Sequence, residues 1–216
     1  MAAPATLTAG QRRALAGLKQ AGLLGGVYLA GGAAIACHLG HRVSNDLDLF
    51  SSDPDLDLDG LRRGAVKALG AEVVSQSDAT LKLRLADSVV DVVRYPYRGL
   101  VRPKAGPEGV PVAGLRDLAV MKLAAIAKRG VRRDYWDLHE ILTRTRLTLH
   151  AACNDYLQKY GVSEADLYHV LRALSWFEDA EADPKSPRGL SRKKWHEIRA
   201  WFEKHAAQEL LRRSKT

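Results

Sequence analysis

Several features are scarce in this 216-residue sequence, and each scarcity excludes a class of protein. No window reaches the roughly 18–20 apolar residues that a membrane span needs. The opening residues, MAAPATLTAGQRRAL, lack the basic segment followed by an apolar run that marks a signal peptide. The two cysteines, Cys37 and Cys153, lie far apart and form no zinc-binding pattern, so we expect them to be reduced and structural. We therefore expect a cytoplasmic protein with no membrane association.

The composition is that of a globular chain with a basic surface. Hydrophobic residues make up 46% of the sequence and charged residues 27%. The length allows one large domain or two small ones. The formal net charge is +8, which favours association with polyanions, nucleic acid above all. Many basic proteins have other partners, so the charge alone leaves the partner open.

The most informative stretch is LAGGAAIACHLGHRVSNDLDLF, which runs from Leu29 to Phe50. Its glycine pair, Gly31-Gly32, opens a predicted helix over Ala33 to Leu39. Glycines at that position let a phosphate approach the backbone, and a helix N-terminus offers unpaired N–H groups and a positive dipole end. A Walker-type phosphate loop is excluded, because no Gly-Lys-Ser/Thr follows the pair.

Two aspartates end the same stretch. Asp46 and Asp48 alternate with Leu47 and Leu49, which predicts a strand with both carboxylates on one side. Neighbouring carboxylates repel, and divalent cations between them would keep both ionised. The alternative is an ordinary helix–loop–strand whose aspartates are solvated. An anion site beside a metal-binding edge indicates an enzyme that handles nucleoside triphosphates.

A third acidic residue lies within a predicted strand. A helix over Leu58 to Leu69 is followed by three strand-like segments, which are Glu72 to Gln76, Thr80 to Leu85 and Val89 to Tyr95. The last of these is almost wholly apolar around Asp91. A carboxylate there is costly to bury unless it is paired or bound to metal. Pairing with Lys82, Arg84 or Arg94 is the alternative to a metal site.

The sequence changes character after a Pro-, Gly- and Arg-rich loop from Pro96 to Pro111. The predicted helices beyond it span Gly114 to Arg129, Arg132 to Arg144, Leu149 to Tyr160, Ser163 to Phe177 and Ser191 to Arg213. We expect an α+β fold in which a small mixed sheet with flanking helices (residues 1–112) precedes a helical bundle (residues 113–216), with the active site in the cleft between them. In the last helix, Trp195, Ile198, Trp201 and Phe202 are at core-packing spacing, and RNA stacking is the alternative.

A second group of charged residues lies in the helical half. Lys122 stands near the edge of an apolar stripe, and Asp134 and Asp137 begin the next helix. Taken alone, the lysine would be a solvated charge and the aspartates a helix-capping detail.

These motifs together resemble a known enzyme family. Apolar-Gly-Gly, a gap and then Asp-Leu-Asp-Leu are similar to the first motif of the polymerase-beta-like nucleotidyltransferases. The segment GHRVSNDLDLF resembles the corresponding motif of one branch, the AbiEii/AbiGii toxins, which include the MenT-like toxins. Two later motifs also match this branch. The first is Asp117 with Lys122, and the second is Arg133-Asp134-Tyr135-Trp136-Asp137-Leu138, in which Arg133 stands where lysine is frequent.

The resemblance implies a metal-dependent transfer of NMP from an NTP to an acceptor hydroxyl. Asp46, Asp48 and Asp91 would hold two Mg²⁺ (or Mn²⁺) ions, and Asp91 would assist deprotonation of the acceptor. Asp134 would orient Lys122 or a metal-bound water. The remaining roles are the binding of phosphate oxygens by Gly31, Gly32 and Ser44, and the neutralisation of diphosphate by Arg42 and Lys122.

The family also implies a bacterial toxin paired with an antitoxin protein, with the 3′ end of tRNA as the acceptor. One alternative is a nucleotidyltransferase that acts on a small molecule, such as an aminoglycoside, or on a protein hydroxyl. The other is a non-catalytic module that binds nucleotide or nucleic acid.

Overall fold

The computed structural model describes residues 7–184 and 186–215. They divide into two compact units, one ending at Gly114 and the other beginning at Leu115. The helices of the N-terminal unit are α1 (Ala9–Gln20), α2 (Gly31–Leu39) and α3 (Leu58–Leu69). Its strands are β1 (Tyr28–Ala30), β2 (Asp46–Ser51), β3 (Glu72–Gln76), β4 (Thr80–Leu85), β5 (Ser88–Arg94), β6 (Lys104–Ala105) and β7 (Pro111–Val112).

The strands of the N-terminal unit form one mixed sheet in the order β3-β4-β5-β2-β1-β7-β6. Strand β2 lies at its centre, parallel to β5 and antiparallel to β1. Leu47, Leu49, Val90 and Val92 are buried and define the core face of these strands. Because side chains alternate along a strand, the residues between them are held on the opposite face.

The predicted start of α3 at Leu58 is confirmed, and both α1 and α3 begin at side-chain caps. Thr8 accepts the N–H of Gln11 at 3.1 Å and completes a capping box with it. Asp57 accepts the N–H of Gly60 at 2.7 Å, so the acidic loop after β2 ends as a helix cap.

The segment Pro96 to Pro111, predicted as a plain loop, carries one strand and part of another. β6 pairs with β7, and β7 adds to the sheet beside β1 through Leu29 and Val112. Two-residue strands are too short to show a period of two in sequence, which explains why the prediction missed them.

The C-terminal unit is helical. Its helices are α4 (Leu115–Arg129), α5 (Arg132–Arg144), α6 (Leu149–Tyr160), α7 (Glu164–Ala173), α8 (Glu178–Ala182) and α9 (Arg192–Arg213). The sequence predicted one helix from Ser163 to Phe177, whereas α7 ends at Ala173 and α8 follows. The Tyr135 hydroxyl lies 2.8 Å from the carbonyl of Ala173 and 2.6 Å from that of Trp176, so it can donate to either of two carbonyls at the end of α7.

An aromatic cluster forms part of the core of the C-terminal unit. The buried Tyr135 ring contacts Phe177, Trp195 and Phe202 with centroid distances of 5.2, 5.8 and 5.5 Å. Core packing was the favoured interpretation of the α9 aromatic residues, and the burial of Trp195, Ile198 and Phe202 confirms it for these three. None of the helices in the described part of the chain combines the length and apolar character that a membrane span requires.

Candidate active site

The central strands bring three predicted carboxylates onto one face of the sheet. In the parallel pairing of β2 with β5, Asp48 lies directly opposite Asp91, and Asp46 lies opposite Val89. Side chains opposite each other on neighbouring strands point to the same face. All three aspartates are partly exposed, whereas Leu47, Leu49, Val90 and Val92 between them are buried on the other face. The chain therefore presents a row of acidic groups on the solvent side of its central strands.

Asp91 also contacts a cation on its other side. Strand β4 places Lys82 opposite it, and the Lys82 Nζ lies 3.3 Å from Asp91 Oδ2. Burial nevertheless raises the pKa of Asp91 above its ordinary value; Lys82 opposes this, and the nearby Asp46 adds to it. As the side chains of the described residues are placed, no three His, Cys, Asp or Glu groups converge closely enough to hold a metal ion. Asp91 therefore forms the salt bridge with Lys82 that was the alternative to a metal site, and it also lies on the same sheet face as Asp46 and Asp48.

The glycine turn lies against the second aspartate. Gly31 has a φ of +59°, a conformation that L side chains rarely adopt. A Cβ on Gly31 would lie 1.9 Å from Asp48 Oδ2, so the carboxylate occupies the space that any side chain would need. A Cβ on Gly32 would lie 2.5 Å from Arg42 Nη2 and 3.1 Å from Ser44 Oγ. The four residues predicted to bind phosphate therefore lie together next to Asp48.

A buried glutamine that the sequence pattern did not reveal supports this group from α1. Gln11 of α1 is fully buried, and its amide donates to the Ser44 carbonyl at 2.8 Å and to the Asp46 carbonyl at 3.5 Å. Its Oε1 accepts the N–H of Thr8 at 2.9 Å. A glutamine three residues after a threonine signals a capping box, but nothing in that spacing reveals the second use of the same side chain. Gln11 fixes the backbone that leads into the acidic strand.

A second cluster is buried within the C-terminal unit. The Lys122 ammonium lies 2.6 Å from Asp134 Oδ1 and 2.8 Å from Asp137 Oδ2, and both carboxylates are wholly buried. Burial acts to lower the pKa of Lys122, but Asp137 and Asp134 outweigh it and the pKa is raised. Burial likewise acts to raise the pKa of Asp134, but Lys122 and Arg129 outweigh it and the pKa is lowered. Lys122 and Asp134 are therefore both held in their charged forms.

The structure changes the details expected for this cluster. Lys122 was placed at the edge of an apolar stripe, yet it is only 5% exposed. Arg133, the motif residue, is exposed, and the cation that donates to Asp134 is Arg129, with its Nε 2.9 Å from Oδ2. Asp117 pairs with the buried Lys159 at 2.7 Å, a partner that no motif indicated.

Comparison with known proteins agrees with these features. The model of the AbiEii family, described as nucleotidyl transferase AbiEii toxin of a Type IV toxin–antitoxin system, matches residues 13–87 and 74–208. The chain belongs to this family. As an AbiEii member it is a nucleotidyltransferase of the toxin type, which confirms the family and enzyme class expected from the sequence.

Individual relatives are distant. An uncharacterized protein of Aquifex aeolicus (strain VF5) is 29% identical over 202 residues, which are 93% of this chain and 96% of that protein. The crystal structure of JHP933 from Helicobacter pylori matches with a TM-score of 0.50 at 14% identity, covering 94% of this chain and 93% of its own. MenT4, a nucleotidyltransferase toxin from Mycobacterium tuberculosis H37Rv, matches with a TM-score of 0.48 at 15% identity, covering 92% and 85%. The α+β fold predicted from the sequence, a mixed sheet followed by helices, is confirmed.

Proposed function

We propose that this AbiEii protein transfers a nucleotide from an NTP to the 3′ hydroxyl of a tRNA, with release of diphosphate. It acts in the cytoplasm as the toxin partner of an antitoxin protein. The observation that carries the proposal is the alignment of Asp46, Asp48 and Asp91 on one sheet face beside the Gly31 turn. The net charge of +8 favours a polyanionic acceptor over a neutral one.

The three aspartates fit a divalent cation chemically. Carboxylate oxygens are the ligands that Mg²⁺ and Mn²⁺ prefer. Burial raises the pKa of Asp91, and the nearby Asp46 adds to this, so a cation bound on this face would favour the ionised carboxylate. Such ions would polarise the α-phosphate and lower the pKa of the acceptor hydroxyl. Asp91 would have to turn from Lys82 toward the other two carboxylates to join them.

The residues around the glycine turn would bind the triphosphate. Gly31 and Gly32 have no side chain to keep phosphate oxygens from the backbone, and Arg42 supplies a guanidinium beside them. Ser44 adds a hydroxyl next to Gly32. Together they would bind the β- and γ-phosphates and neutralise the diphosphate as it leaves.

Membership of the AbiEii family supports a nucleotide-binding role for Lys122 of the C-terminal unit. An ammonium group has three donors, and Asp134 and Asp137 accept two from Lys122. The role of Asp134 in this proposal is to position Lys122, since its carboxylate fixes the lysine and keeps it protonated. This assignment extends the sequence prediction for both residues.

Labelled NTPs provide the test. The purified chain is incubated with each α-³²P-labelled NTP, total tRNA and Mg²⁺, and the label on RNA is measured. Asp48→Asn should reduce transfer by about a thousandfold, because a metal ion supplies several kcal/mol of transition-state stabilisation. The matched control is Asp55→Asn, an exposed acid in the loop after β2, which should retain activity.

The same reactions separate the alternatives. Label on protein, or on an added aminoglycoside, instead of tRNA would show that the acceptor is wrong while the chemistry stands. Transfer that survives EDTA would contradict the metal requirement. NTP binding without diphosphate release would contradict catalysis itself.

A further inference from the structure

The sheet face that carries the acidic residues also carries a row of aromatic rings. Phe50 follows Asp48 by two residues on β2, and Tyr28 of β1 is its register partner. The ring centroids of Tyr28 and Phe50 are 6.5 Å apart, those of Phe50 and Tyr95 are 5.1 Å apart, and those of Tyr95 and Tyr97 are 4.9 Å apart. We call Tyr28, Phe50, Tyr95 and Tyr97 the aromatic row.

The aromatic row is partly open to solvent. Tyr97 is 39% exposed, and the other three rings are neither fully buried nor fully exposed. Tyr28 and Phe50 lie on strands of the sheet, and Tyr95 and Tyr97 follow the end of β5. Large apolar side chains usually lie in a core, so four adjacent rings that are partly exposed are a feature of binding surfaces. The core of this sheet lies on its other face, with Leu49 and Val92.

The aromatic row lies on the opposite side of Asp48 from the phosphate-binding residues. Gly32 contacts Arg42 and Ser44, which precede the acidic strand, whereas Phe50 follows it. Two strand residues span about 7 Å, so the row begins roughly one nucleotide's length beyond Asp48. In phosphoryl transfer the attacking and leaving oxygens are roughly in line. If diphosphate leaves toward Arg42, the acceptor hydroxyl approaches from the direction of the row.

Positive charge follows the aromatic row along the chain. Residues 94–104 contain four basic side chains and no acidic one. Arg98, Arg102 and Lys104 of this segment are exposed. Exposed cations beside aromatic rings are the combination with which proteins bind single-stranded nucleic acid, since rings stack on bases and cations attract phosphates.

We propose that the aromatic row is a stacking platform for the unpaired bases at the end of an RNA acceptor. This inference rests on the proposed function for the direction of attack, and it adds the surface that holds the acceptor. The occupant is single-stranded RNA and not the base of the incoming NTP, because the row and the phosphate-binding residues lie on opposite sides of Asp48.

The test compares two tyrosines. Binding of a short fluorescein-labelled single-stranded RNA is measured by anisotropy, without NTP, for the intact chain and for Tyr97→Ala. Loss of one stacked base should weaken binding by about tenfold. Tyr97→Trp should restore it, because tryptophan keeps a stacking ring. Tyr168→Ala, which removes a tyrosine that is 49% exposed in the C-terminal unit, should leave the affinity unchanged.

Binding of a fluorescent NTP analogue gives the second measurement. We expect the affinity for the analogue to be the same for Tyr97→Ala and the intact chain. Weaker analogue binding with unchanged RNA binding would assign the row to the incoming base and overturn the proposal. Equal RNA affinity for Tyr97→Ala and Tyr168→Ala would overturn it as well. A chain that shows the expected Tyr97 effect on RNA binding yet transfers no label to RNA would contradict the proposed function and leave the platform standing.

Discussion

The two acidic clusters of this protein have opposite electrostatic character. Asp134 and Asp137 are wholly buried, and Lys122 contacts both, so the pKa of Asp134 is lowered although burial acts to raise it. Asp91 is partly exposed, and burial raises its pKa although Lys82 lies within 3.3 Å. Neighbouring cations outweigh burial at Asp134, whereas burial outweighs Lys82 at Asp91. We infer that the ion pairs of the first cluster stabilise the C-terminal unit and fix the position of Lys122, whereas the second cluster is available to a ligand.

The strongest test of this comparison removes the cation from the buried cluster. Lys122→Met should lower the free energy of unfolding by about 3–5 kcal/mol, because it removes the lysine that contacts two buried carboxylates. Urea unfolding at neutral pH measures the change. Lys128→Met is the matched control, since Lys128 is an exposed lysine on the same helix and should cost under about 0.5 kcal/mol. Equal costs for the two lysines would break the comparison.

A smaller effect is expected at the glycine turn on the sheet face. Gly31→Ala and Gly22→Ala both place alanine at a positive φ, +59° and +70°, which costs roughly 1–2 kcal/mol. Only Gly31→Ala also meets Asp48, since a Cβ on Gly22 has nothing within 4 Å. Gly31→Ala should therefore cost about 1–3 kcal/mol more and should lower nucleotide transfer, which Gly22→Ala leaves unchanged. Denaturant unfolding and the labelled-NTP assay measure both. If Gly31→Ala and Gly22→Ala had identical stability and activity, the contact between Gly31 and Asp48 would contribute to neither.

The smallest expected effect is the change in melting temperature on substitution of Asp91, and its direction tests the comparison. The folded-state pKa of Asp91 is raised, so its ionised form is disfavoured in the fold and lowers stability above that pKa. Asp91→Asn should therefore leave the melting temperature equal or slightly higher at pH 7 while it abolishes transfer. The gain should disappear as the pH falls toward the unfolded pKa of about 3.9. Thermal melts across this pH range provide the measurement, and a clear loss of stability at pH 7 would mean that the Lys82 contact dominates.

The sequence predicted the acidic face because its signals are local. Asp46 and Asp48 alternate with leucines, which fixes their common side without any knowledge of the fold. The pairing of Asp48 with Asp91 depends on strand register across distant segments, which alternation alone does not determine. The double use of Gln11 is hidden for the same reason, since its second set of partners lies beyond the local turn.

Burial of charge was harder to predict. Lys122 resembles an edge lysine on its own helix, and only Asp134 and Asp137 of the next helix make its burial possible. At the end of α7, the Ala173 carbonyl accepts from the hydroxyl of Tyr135, a residue of another helix. In both cases the group involved is a tertiary partner, which helical periodicity does not report.

The parallel alignment of β2 with β5 has a consequence for synthesis of the protein. Strand β2 emerges from the ribosome well before β5, and parallel strands cannot pair until the intervening crossover has been made. A nascent chain therefore carries Asp46 and Asp48 without Asp91 opposite them. Asp46, Asp48 and Asp91 therefore come together only after most of the N-terminal unit has been synthesised and folded.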